Sequence, residues 1–421
     1  MSDTLRNWAG NLAYHAARIH EPDTIDQARQ IVAASQKVRA LGSRHSFNAI
    51  ADTDADLIAT TRLKRVVSLD TERNTVTVEG GMRYGELGLF LHNAGYAVHN
   101  MASLPHISIA GAIATATHGS GDANGSLATS VSGVEIITAE GDLVSFTRAA
   151  NPAEFPGTVV ALGALGLVAR VTLDILPTFL VQQDIYERLP LAELIANFDG
   201  VMGGAYSTSL FTDWQHDYIN QMWLKRAVTG DAITAPATIF GATRVTTDRH
   251  PIDDVSAESV TTQMSIPGPW HERLPHFRID VTPSHGEELQ SEYFVPRSRA
   301  VEAVRAMAEL GPAIASLLMI SEVRTIAADD LWMSPTYRQA CVGLHCTWVR
   351  DQPGVEALLP LIEERLAPLG ARPHWGKLFT MSPAQIQSRY EQLPQFRALL
   401  ERYDPRGKFR NAFVERYMFG A

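Results

Sequence analysis

Two short runs of the chain place polar side chains two residues apart, the spacing that puts both on one face of a β-strand. Glu322 and Arg324 are spaced in this way, and so are His345 and Thr347. A glutamate and an arginine together can hold a hydroxyl group, because cationic groups stabilise negative charge that develops on oxygen. The alternatives are a surface salt bridge for the first pair and an ordinary half-buried strand for the second.

A lysine and a histidine lie in turn-like sequences that can bring them to a ligand. Lys377 directly follows a glycine, and His45 lies in the turn 41–48, directly after the strand-like run 37–41. Gly42 can adopt backbone angles that other residues avoid, and successive amides in such a turn can form a nest for an anion. The alternatives are a solvated lysine and an incidental surface histidine.

A further segment, residues 100–121, contains a run of small residues from Ile109 to Ala116. Small side chains let a flat ligand approach the backbone, and the threonines and serines of this segment add hydroxyl donors. The alternative is a tightly packed buried turn.

Several common nucleotide, nucleophile and metal motifs are absent from the sequence. The glycines of 119–125 suggest a dinucleotide fingerprint, but the third glycine comes one position too late and no helix clearly begins there. There is no Walker sequence, no serine elbow and no His-Glu-x-x-His motif. The 14 histidines lack ligand spacing. We therefore expect neither a Rossmann-type NAD enzyme nor a bound metal.

The composition is that of a globular protein, with 45% hydrophobic and 19% charged residues among 421. The net charge of −10 argues against nucleic acid or an anionic membrane as the main partner. Cys341 and Cys346 are oddly spaced in a strand-like run, so a disulfide between them is not expected. No signal core and no membrane-length apolar run is present. We expect a cytoplasmic protein without nucleic-acid or membrane partners, and a monomer.

Hydrophobic periodicity and turn residues indicate mixed helices and strands with frequent hairpins, which is typical of an α+β fold. The predicted elements are a capped helix start at 24–27, a buried strand at 38–41, hairpins at 66–78 and 134–146, a helix at 84–94 ended by Gly95, a strand at 168–176, later strands at 221–224 and 291–295, and a helix at 299–310. Residues 229–254 lack periodicity, which favours a long surface excursion.

The turn at His45 and the small-residue segment together resemble the vanillyl-alcohol-oxidase type of flavoprotein. The resemblance extends to residues 163–168, 374–377 and 404–411. Within that family, residues 268–277 and 289–293 resemble the branch of alditol (xylitol) oxidases. The likeness covers nearly the whole chain.

The resemblance implies FAD as cofactor, bonded covalently through the flavin 8α carbon to His45. In the family, the first loop holds the FAD pyrophosphate and the second segment runs along the flavin. The cofactor-binding residues that it implies are Leu41, Gly42, Ser43, Arg44, His45, Ser46, Phe47, Ser103, Ser108, Gly111, Thr115, Ala116, Thr117, His118 and Val168. Arg44 stands where some relatives have glycine, and pairing with an acid and contact with the pyrophosphate are both open.

The resemblance also implies a substrate site above the flavin. Its polar substrate contacts are Ser103, Glu322, Arg324, Thr347 and Lys377, and its catalytic group comprises Glu322, Arg324, His345 and Lys377. The group that takes the hydroxyl proton is left unassigned.

The implied activity is oxidation of the terminal primary alcohol of a linear polyol, such as xylitol or sorbitol, to the aldose, with O₂ reduced to H₂O₂. The nearest alternative is an aldonolactone oxidase or dehydrogenase of the gulonolactone or galactonolactone type, which shares the fold and the histidyl flavin loop. A flavin-free carbohydrate-binding protein is an alternative of another class, and a yellow protein would exclude it.

The resemblance implies a two-domain α+β architecture. We expect an FAD-binding α+β domain over residues 1–177 and a substrate (cap) domain with a large antiparallel sheet over 178–390. The C-terminal segment 391–421 is expected to return to the FAD-binding domain.

Overall fold

The computed structural model describes residues 5–230, 233–281 and 287–420. Up to Pro177 the chain alternates short strands and helices. In chain order these are β1 (Arg18–His20), α1 (Ile25–Ala34), β2 (Val38–Leu41), β3 (Asp56–Ala59), β4 (Val66–Asp70), β5 (Thr75–Glu79), α2 (Tyr84–Asn93), β6 (Tyr96–Ala97), α3 (Ile109–Ala114), β7 (Val131–Ile137), β8 (Leu143–Thr147), α4 (Phe155–Val159), β9 (Leu167–Asp174) and β10 (Leu176–Pro177).

The rest of the chain contains longer strands, followed by helices at the C-terminus. These elements are β11 (Leu180–Pro190), α5 (Leu191–Ala196), α6 (Phe198–Met202), β12 (Ser207–Thr212), β13 (Tyr218–Val228), β14 (Thr238–Ile239), β15 (Ala242–Arg244), β16 (Gly268–Pro269), β17 (Glu288–Pro296), α7 (Ala300–Ile314), β18 (Leu318–Ile326), β19 (Cys341–Val349), α8 (Gln352–Leu366), β20 (Arg372–Pro373), α9 (Pro383–Gln387), α10 (Leu393–Tyr403) and α11 (Ala412–Val414).

Helix α1 shows how local sequence sets an element. The Thr24 side chain accepts a hydrogen bond from the Gln27 amide, and the helix buries Ile25 and Ala28. The Gln27 side chain accepts from the Asp23 amide at 2.8 Å, one residue before the position that a strict capping box would use. The helix start predicted at 24–27 is confirmed.

The first part of the chain builds two main sheets. Strands β1, β3 and β2 form a parallel sheet, and β4, β5, β9, β7 and β8 form an antiparallel one in that order. The hairpins β4–β5 and β7–β8 are those that the sequence predicts. Alternate residues of β9 are buried, which is the period-2 pattern of a strand.

The second part builds a ten-stranded sheet with the order β14-β15-β11-β13-β12-β18-β19-β17-β20, and β16 pairs with β11. Its pairings are antiparallel. Val323, Leu344 and Cys346 belong to the apolar core beneath α7 and α8. Because side chains alternate along a strand, Glu322 and His345 face the opposite side. The α+β prediction with a large antiparallel sheet is confirmed.

The C-terminal segment lies against the first part of the chain. The Asn411 side chain donates hydrogen bonds to the carbonyl oxygens of Ala49, Ile50 and Asp52, and the Val38 amide donates to the Lys408 carbonyl. The domain limits at residues 177 and 390 stay predictions.

The prediction of a long surface excursion for residues 229–254 agrees with the exposure of most described residues in this range, but the segment also takes part in the sheet and the cavity. Residues 231 and 232 lie outside the described residues, but β14 and β15 join the edge of the ten-stranded sheet, and His250 and Ile252 reach the cavity described below. Strands of two or three residues are too short to give a periodic signal.

Both cysteines are free and buried. Among the helices of the described ranges, none has the length and apolar character needed to cross a membrane.

Candidate active site

A large cavity lies between the loops of the first part of the chain and the polar face of the ten-stranded sheet. It has about 1950 Å³ of empty space including its open mouth, and its lining brings together the turn of His45, the small-residue segment and the polar side chains of the sheet. Of all the site residues that the sequence predicts, Ala116 alone does not line it.

His45 presents a ring nitrogen without a partner in this cavity. Its Nδ1 is buried and has no hydrogen-bond partner among the described residues. Burial lowers the pKa of His45 to about 4, with further lowering by the nearby His106. The ring is stacked on Trp8 with the centroids 5.5 Å apart. A neutral, oriented imidazole with one unused nitrogen can form a bond to a cofactor carbon.

The two segments that the sequence singles out meet beside His45. The Ser108 amide donates to the Ser43 hydroxyl at 2.9 Å, and the Ser43 amide donates to the Ser108 hydroxyl at 3.3 Å. A Cβ atom on Gly42 would lie 2.2 Å from the Ser108 hydroxyl oxygen. Glycine is therefore required at position 42, because any side chain would push the two segments apart.

Arg44 has left-handed backbone angles, with φ of 65°. Glycine adopts these angles without strain, whereas an arginine holds them only at a cost. The Arg44 guanidinium donates to the Arg6 carbonyl oxygen at 3.2 Å, and within the described ranges it forms no ion pair with an acid.

Helix α3 lies along the cavity with its small residues. Gly111 and Thr115 line the cavity, as does Thr117 beyond the helix end. Ala116, predicted to bind the cofactor, is not among the lining residues, and its cofactor contact stays a prediction. Its left-handed φ of 54° marks the turn after the helix, and its methyl group is buried in the apolar core of the first part.

Three adjacent strands of the large sheet present polar side chains to the cavity in register. Glu292 of β17 lies opposite His345 of β19, and His345 lies opposite Glu322 of β18. In the next row Gln290 lies opposite Thr347. All five side chains line the cavity, so the alternative of a solvent-facing salt bridge for Glu322 does not apply.

Glu292 connects the two cations of the site, and sequence reasoning missed it. Its Oε1 accepts from Arg324 Nη2 at 2.6 Å, and its Oε2 accepts from Lys377 Nζ at 2.7 Å. Its side chain has no exposed surface. Gln290 and Glu292 have the same two-residue spacing as Glu322 and Arg324, so the signal was present in the sequence.

Lys377 and His345 form a short hydrogen-bonded chain. Lys377 Nζ donates to His345 Nδ1 at 2.6 Å, and His345 Nε2 lies 3.1 Å from the Thr347 hydroxyl. Burial lowers the pKa of His345 to about 4, and the charge of Lys377 lowers it further. The imidazole is therefore neutral near pH 7, with its proton on Nε2, where it can donate to Thr347.

The charges of the site balance each other in a buried environment. Burial raises the pKa of Glu322 and Glu292, but the neighbouring cations outweigh it and hold both values below the ordinary range. Arg324 lies between them, with its Nε 3.4 Å from Glu322. Burial lowers the pKa of Lys377, and Glu292 opposes this. The site thus combines two carboxylates with two cations.

The remaining polar contacts connect the sheet to the first part of the chain. Arg324 Nη1 donates to the Ser103 hydroxyl at 3.4 Å. His118 Nε2 lies 3.2 Å from Glu292 Oε1, while its Nδ1 donates to the Gly119 carbonyl oxygen. His118, predicted to bind cofactor, thus lies beside the carboxylate of Glu292.

His276 is a second residue that sequence reasoning missed. Its Nε2 lies 2.8 Å from Glu322 Oε1, and it reaches the cavity from the irregular segment after β16. Only the fold brings it to Glu322.

Comparisons with known proteins agree with this geometry. Residues 16–147 match a family model described as an FAD binding domain, and residues 283–417 match one described as D-arabinono-1,4-lactone oxidase. The chain is 45% identical over 426 residues to an alditol oxidase of Streptomyces sp. (strain IKD472 / FERM P-14339), with both proteins covered completely. It is 28% identical to an L-gulono-1,4-lactone dehydrogenase of Mycobacterium tuberculosis, covering 99% of this chain and 100% of that protein.

Solved structures of lower sequence similarity share the fold. A crystal structure of cholesterol oxidase from B. sterolicum superimposes with a TM-score of 0.78 at 14% identity, over 99% of this chain and 96% of that one. A solvent-stable cholesterol oxidase gives 0.79 at 15% identity, over 99% and 97%. The fold that the resemblance implies is therefore confirmed.

Proposed function

The chain belongs to the alditol oxidase family of FAD-dependent oxidoreductases, and we propose from this premise that it oxidises the terminal primary alcohol of linear polyols to the aldose. The observation that carries the proposal is the buried cluster in which Glu292 joins Arg324 and Lys377 on one wall of the cavity. The proposed electron acceptor is molecular oxygen, which yields hydrogen peroxide. The small side chain of Ala102, which lines the cavity, supports access for oxygen.

FAD, when bound, supplies the acceptor for the two electrons that leave the substrate carbon. The residues present fit this cofactor: Gly42 and Gly111 allow close approach to the backbone, and His45 has an unused nitrogen. A set of polar side chains that the large sheet presents to the cavity, together with Lys377, is called the polar wall and is left for the substrate. The sheet contributes Gln290, Glu292, Glu322, Arg324, His345 and Thr347 to it.

Each residue of the polar wall has a distinct proposed role. Lys377 and Arg324 hold positive charge at the oxygen that loses its proton, which stabilises the alkoxide character that develops there. Glu322 accepts a hydrogen bond from a substrate hydroxyl. His345, neutral near pH 7, contacts Lys377 and Thr347, and so keeps both oriented towards the substrate.

We predict that the FAD is covalently attached through His45. After acid denaturation, flavin fluorescence should stay with the polypeptide band of the wild type. In His45→Ala the same treatment should release all flavin, because no other residue takes over the bond. His106→Ala is the matched control, since it removes a neighbouring histidine and should keep the flavin attached. Complete release of flavin from the matured wild type would contradict the prediction.

The register of the polar side chains supports a substrate with several hydroxyl groups in a row. Beyond the row of Glu292, His345 and Glu322, the wall continues with Gln290 and Thr347. Rows of a sheet are spaced along the strands by about the length of two residues, ~7 Å. An extended polyol can reach both rows, whereas ethanol can reach only one.

We predict that kcat/KM falls from xylitol or sorbitol to glycerol and then to ethanol. Each missing hydroxyl leaves a buried polar group unpaired, which costs about 1–3 kcal/mol. Gln290→Leu should reduce kcat/KM for xylitol more than for glycerol, because glycerol is too short to reach the second row. Initial rates at saturating oxygen test both statements, and equal activity on ethanol would overturn the polyol assignment.

The experiment that tests the proposed function as a whole is peroxide release across a panel of polyols and aldonolactones. Turnover of xylitol with peroxide formation supports the proposal. A clear preference for gulonolactone over every polyol would favour the lactone oxidase alternative and leave the flavin assignment intact. A cytoplasmic location stays a prediction of the sequence.

A further inference from the structure

Lys225 is a buried cation behind the polar wall, and the proposed mechanism makes no use of it. It belongs to β13 and is 1% exposed. Its ammonium nitrogen lies 2.5 Å from the Leu274 carbonyl oxygen, 2.9 Å from the Pro275 carbonyl oxygen and 3.0 Å from His276 Nδ1. The other ring nitrogen of His276 lies 2.8 Å from Glu322 Oε1. A continuous chain of hydrogen bonds thus runs from Lys225 through the His276 imidazole to Glu322.

The contacts leave one assignment of the protons along this chain. The Glu322 carboxylate only accepts hydrogen bonds, because its pKa is held below the ordinary range. His276 must therefore carry its proton on Nε2, which leaves Nδ1 as an acceptor. As an ammonium group Lys225 directs its three protons at two carbonyl oxygens and at Nδ1, so that every proton has an acceptor.

A purely structural role does not explain this arrangement. Burial lowers the pKa of Lys225 well below its ordinary value, so keeping it protonated carries a cost. Apolar side chains of similar volume often replace buried charges without loss of stability. What the ammonium provides beyond packing is the choice of tautomer at His276.

We propose that Lys225 and His276 are positioning residues that hold the Glu322 carboxylate oriented to accept a hydrogen bond from a substrate hydroxyl. Lys225, donating to Nδ1, reinforces the His276 tautomer that Glu322 also favours. His276 anchors Glu322 Oε1, while Oε2, 3.4 Å from Arg324 Nε, is left to accept from the substrate. The inference rests on the proposed function, because it requires Glu322 to bind a polyol hydroxyl.

The groups that face His276 come from three neighbouring strands. Lys225 approaches from β13, Glu322 and Arg324 from β18, and the Ser209 hydroxyl from β12, 3.4 Å from Nε2. Burial lowers the pKa of His276 to about 4, and Lys225 is the next largest cause. The imidazole of the wild type therefore stays neutral across pH 5.5–8, a working range taken around the ordinary histidine value of ~6.5.

Removing the ammonium gives a pH signature that general destabilisation does not. In Lys225→Met, neutral His276 can place its proton on Nδ1, because the donor that faced this nitrogen is gone, and the lone pair of Nε2 then repels Glu322. Without Lys225 the second-largest cause of the lowering is removed and Glu322 still favours the imidazolium, so the His276 pKa should rise, while burial keeps it below the ordinary value of ~6.5. At lower pH the imidazolium carries protons on both nitrogens and again donates to Glu322. Substrate binding should therefore be weak at pH 8 and recover as the pH falls.

The test is rapid mixing of the anaerobic holoenzyme with xylitol, which gives the dissociation constant and the limiting rate of flavin reduction separately. At pH 8, Lys225→Met should raise the dissociation constant on the order of 10- to 100-fold, the usual effect of one lost charged hydrogen bond. The limiting rate should change less than the dissociation constant. Between pH 8 and 5.5 the dissociation constant should return towards that of the wild type, which itself should stay flat.

A second pair of variants keeps Lys225 and tests the same chain. His276→Gln retains a side-chain N–H in the place of Nε2 and should bind xylitol within a few-fold of the wild type. His276→Leu removes the donor and should bind on the order of 10-fold more weakly or worse. Equal binding by these two variants would overturn the inference even if Lys225→Met does not fold.

Ser291→Ala is the matched control, because it removes a buried hydrogen bond to Trp348 on the opposite face of the same sheet. It should bind xylitol like the wild type at every pH. An unchanged dissociation constant in Lys225→Met, or an increase that is the same at pH 5.5 and 8, would contradict the inference. A wild type that xylitol does not reduce would instead count against the proposed function.

Discussion

Replacing Lys377 with methionine is expected to slow reduction of the bound flavin by xylitol about 10²–10³-fold, the usual cost of removing one preorganised donor from a developing oxyanion. Lys377 Nζ already donates to Glu292 and His345. An ammonium group has three donors, so the third is left for the substrate oxygen. Arg324→Ala should slow reduction to a similar extent, since Arg324 supplies the second cation of the same cluster.

Anaerobic rapid-mixing absorbance at the flavin band measures this effect directly. Both variants should keep their flavin, because the two side chains contact Glu292, His345 and Ser103 rather than His45. The matched control is Lys408→Met, which removes a buried lysine whose ammonium donates to the Val32 carbonyl oxygen, outside the cavity. That variant should lose stability but reduce at nearly the wild-type rate. Near-normal reduction by both site variants would exclude their proposed role.

Replacing Glu292 with glutamine is expected to produce the second largest effect, because this carboxylate binds both cations. Removing one partner of a buried ion pair leaves uncompensated charge and typically costs 3–5 kcal/mol of stability. Loss of the Glu292 charge also frees the side chains of Arg324 and Lys377 to move, because both donate hydrogen bonds to this carboxylate. We expect flavin reduction to slow on the order of 10²-fold.

The pH dependence of Glu292→Gln gives a sharper test than the rate alone. Burial lowers the pKa of Lys377 and the charge of Glu292 opposes that shift. Without Glu292 the pKa of Lys377 should fall further, so that the ammonium is lost at lower pH. If the ammonium is the active form, the reduction rate of the variant should fall as the pH rises, with a midpoint below that of the wild type. A rate that rises with pH would instead identify neutral Lys377 as the proton acceptor.

Glu363→Gln is the control for this prediction. Glu363 is also a buried carboxylate, and it accepts hydrogen bonds from Tyr293 and Thr380 away from the cavity. Its replacement should lower the thermal unfolding temperature without changing the pH dependence of reduction. Equal pH profiles for both variants would show that the effect is general destabilisation.

Local physics determined much of the fold, and the sequence carries that information directly. Strand β2 ends at Leu41, directly before Gly42. Helix α2 ends before Gly95, whose φ of 87° lies in the left-handed region that glycine tolerates. The two-residue spacing of Glu322 and Arg324 placed both on one face of β18, because alternation along a strand is a property of the backbone.

The sequence also located the loop of His45 and the small-residue segment that lines the cavity. The sequence did not show which side chains of this segment point away from the cavity, because that depends on their neighbours in space. Ala116 looks like its neighbours in sequence, yet its backbone turns it into the core. The direction of a side chain after a helix end depends on how the next segment packs, and no local pattern encodes this.

The tertiary structure alone decided how the candidate site is assembled. Strand register set Glu292 opposite His345 and His345 opposite Glu322, and a separate loop brought Lys377 to Glu292. These residues are tens of positions apart in the chain, and a one-residue change of register would turn each strand's polar side chains to the opposite face. Their types and spacing are properties of the sequence, but the balanced cluster of charges exists only because long-range pairing and burial place them within hydrogen-bonding distance.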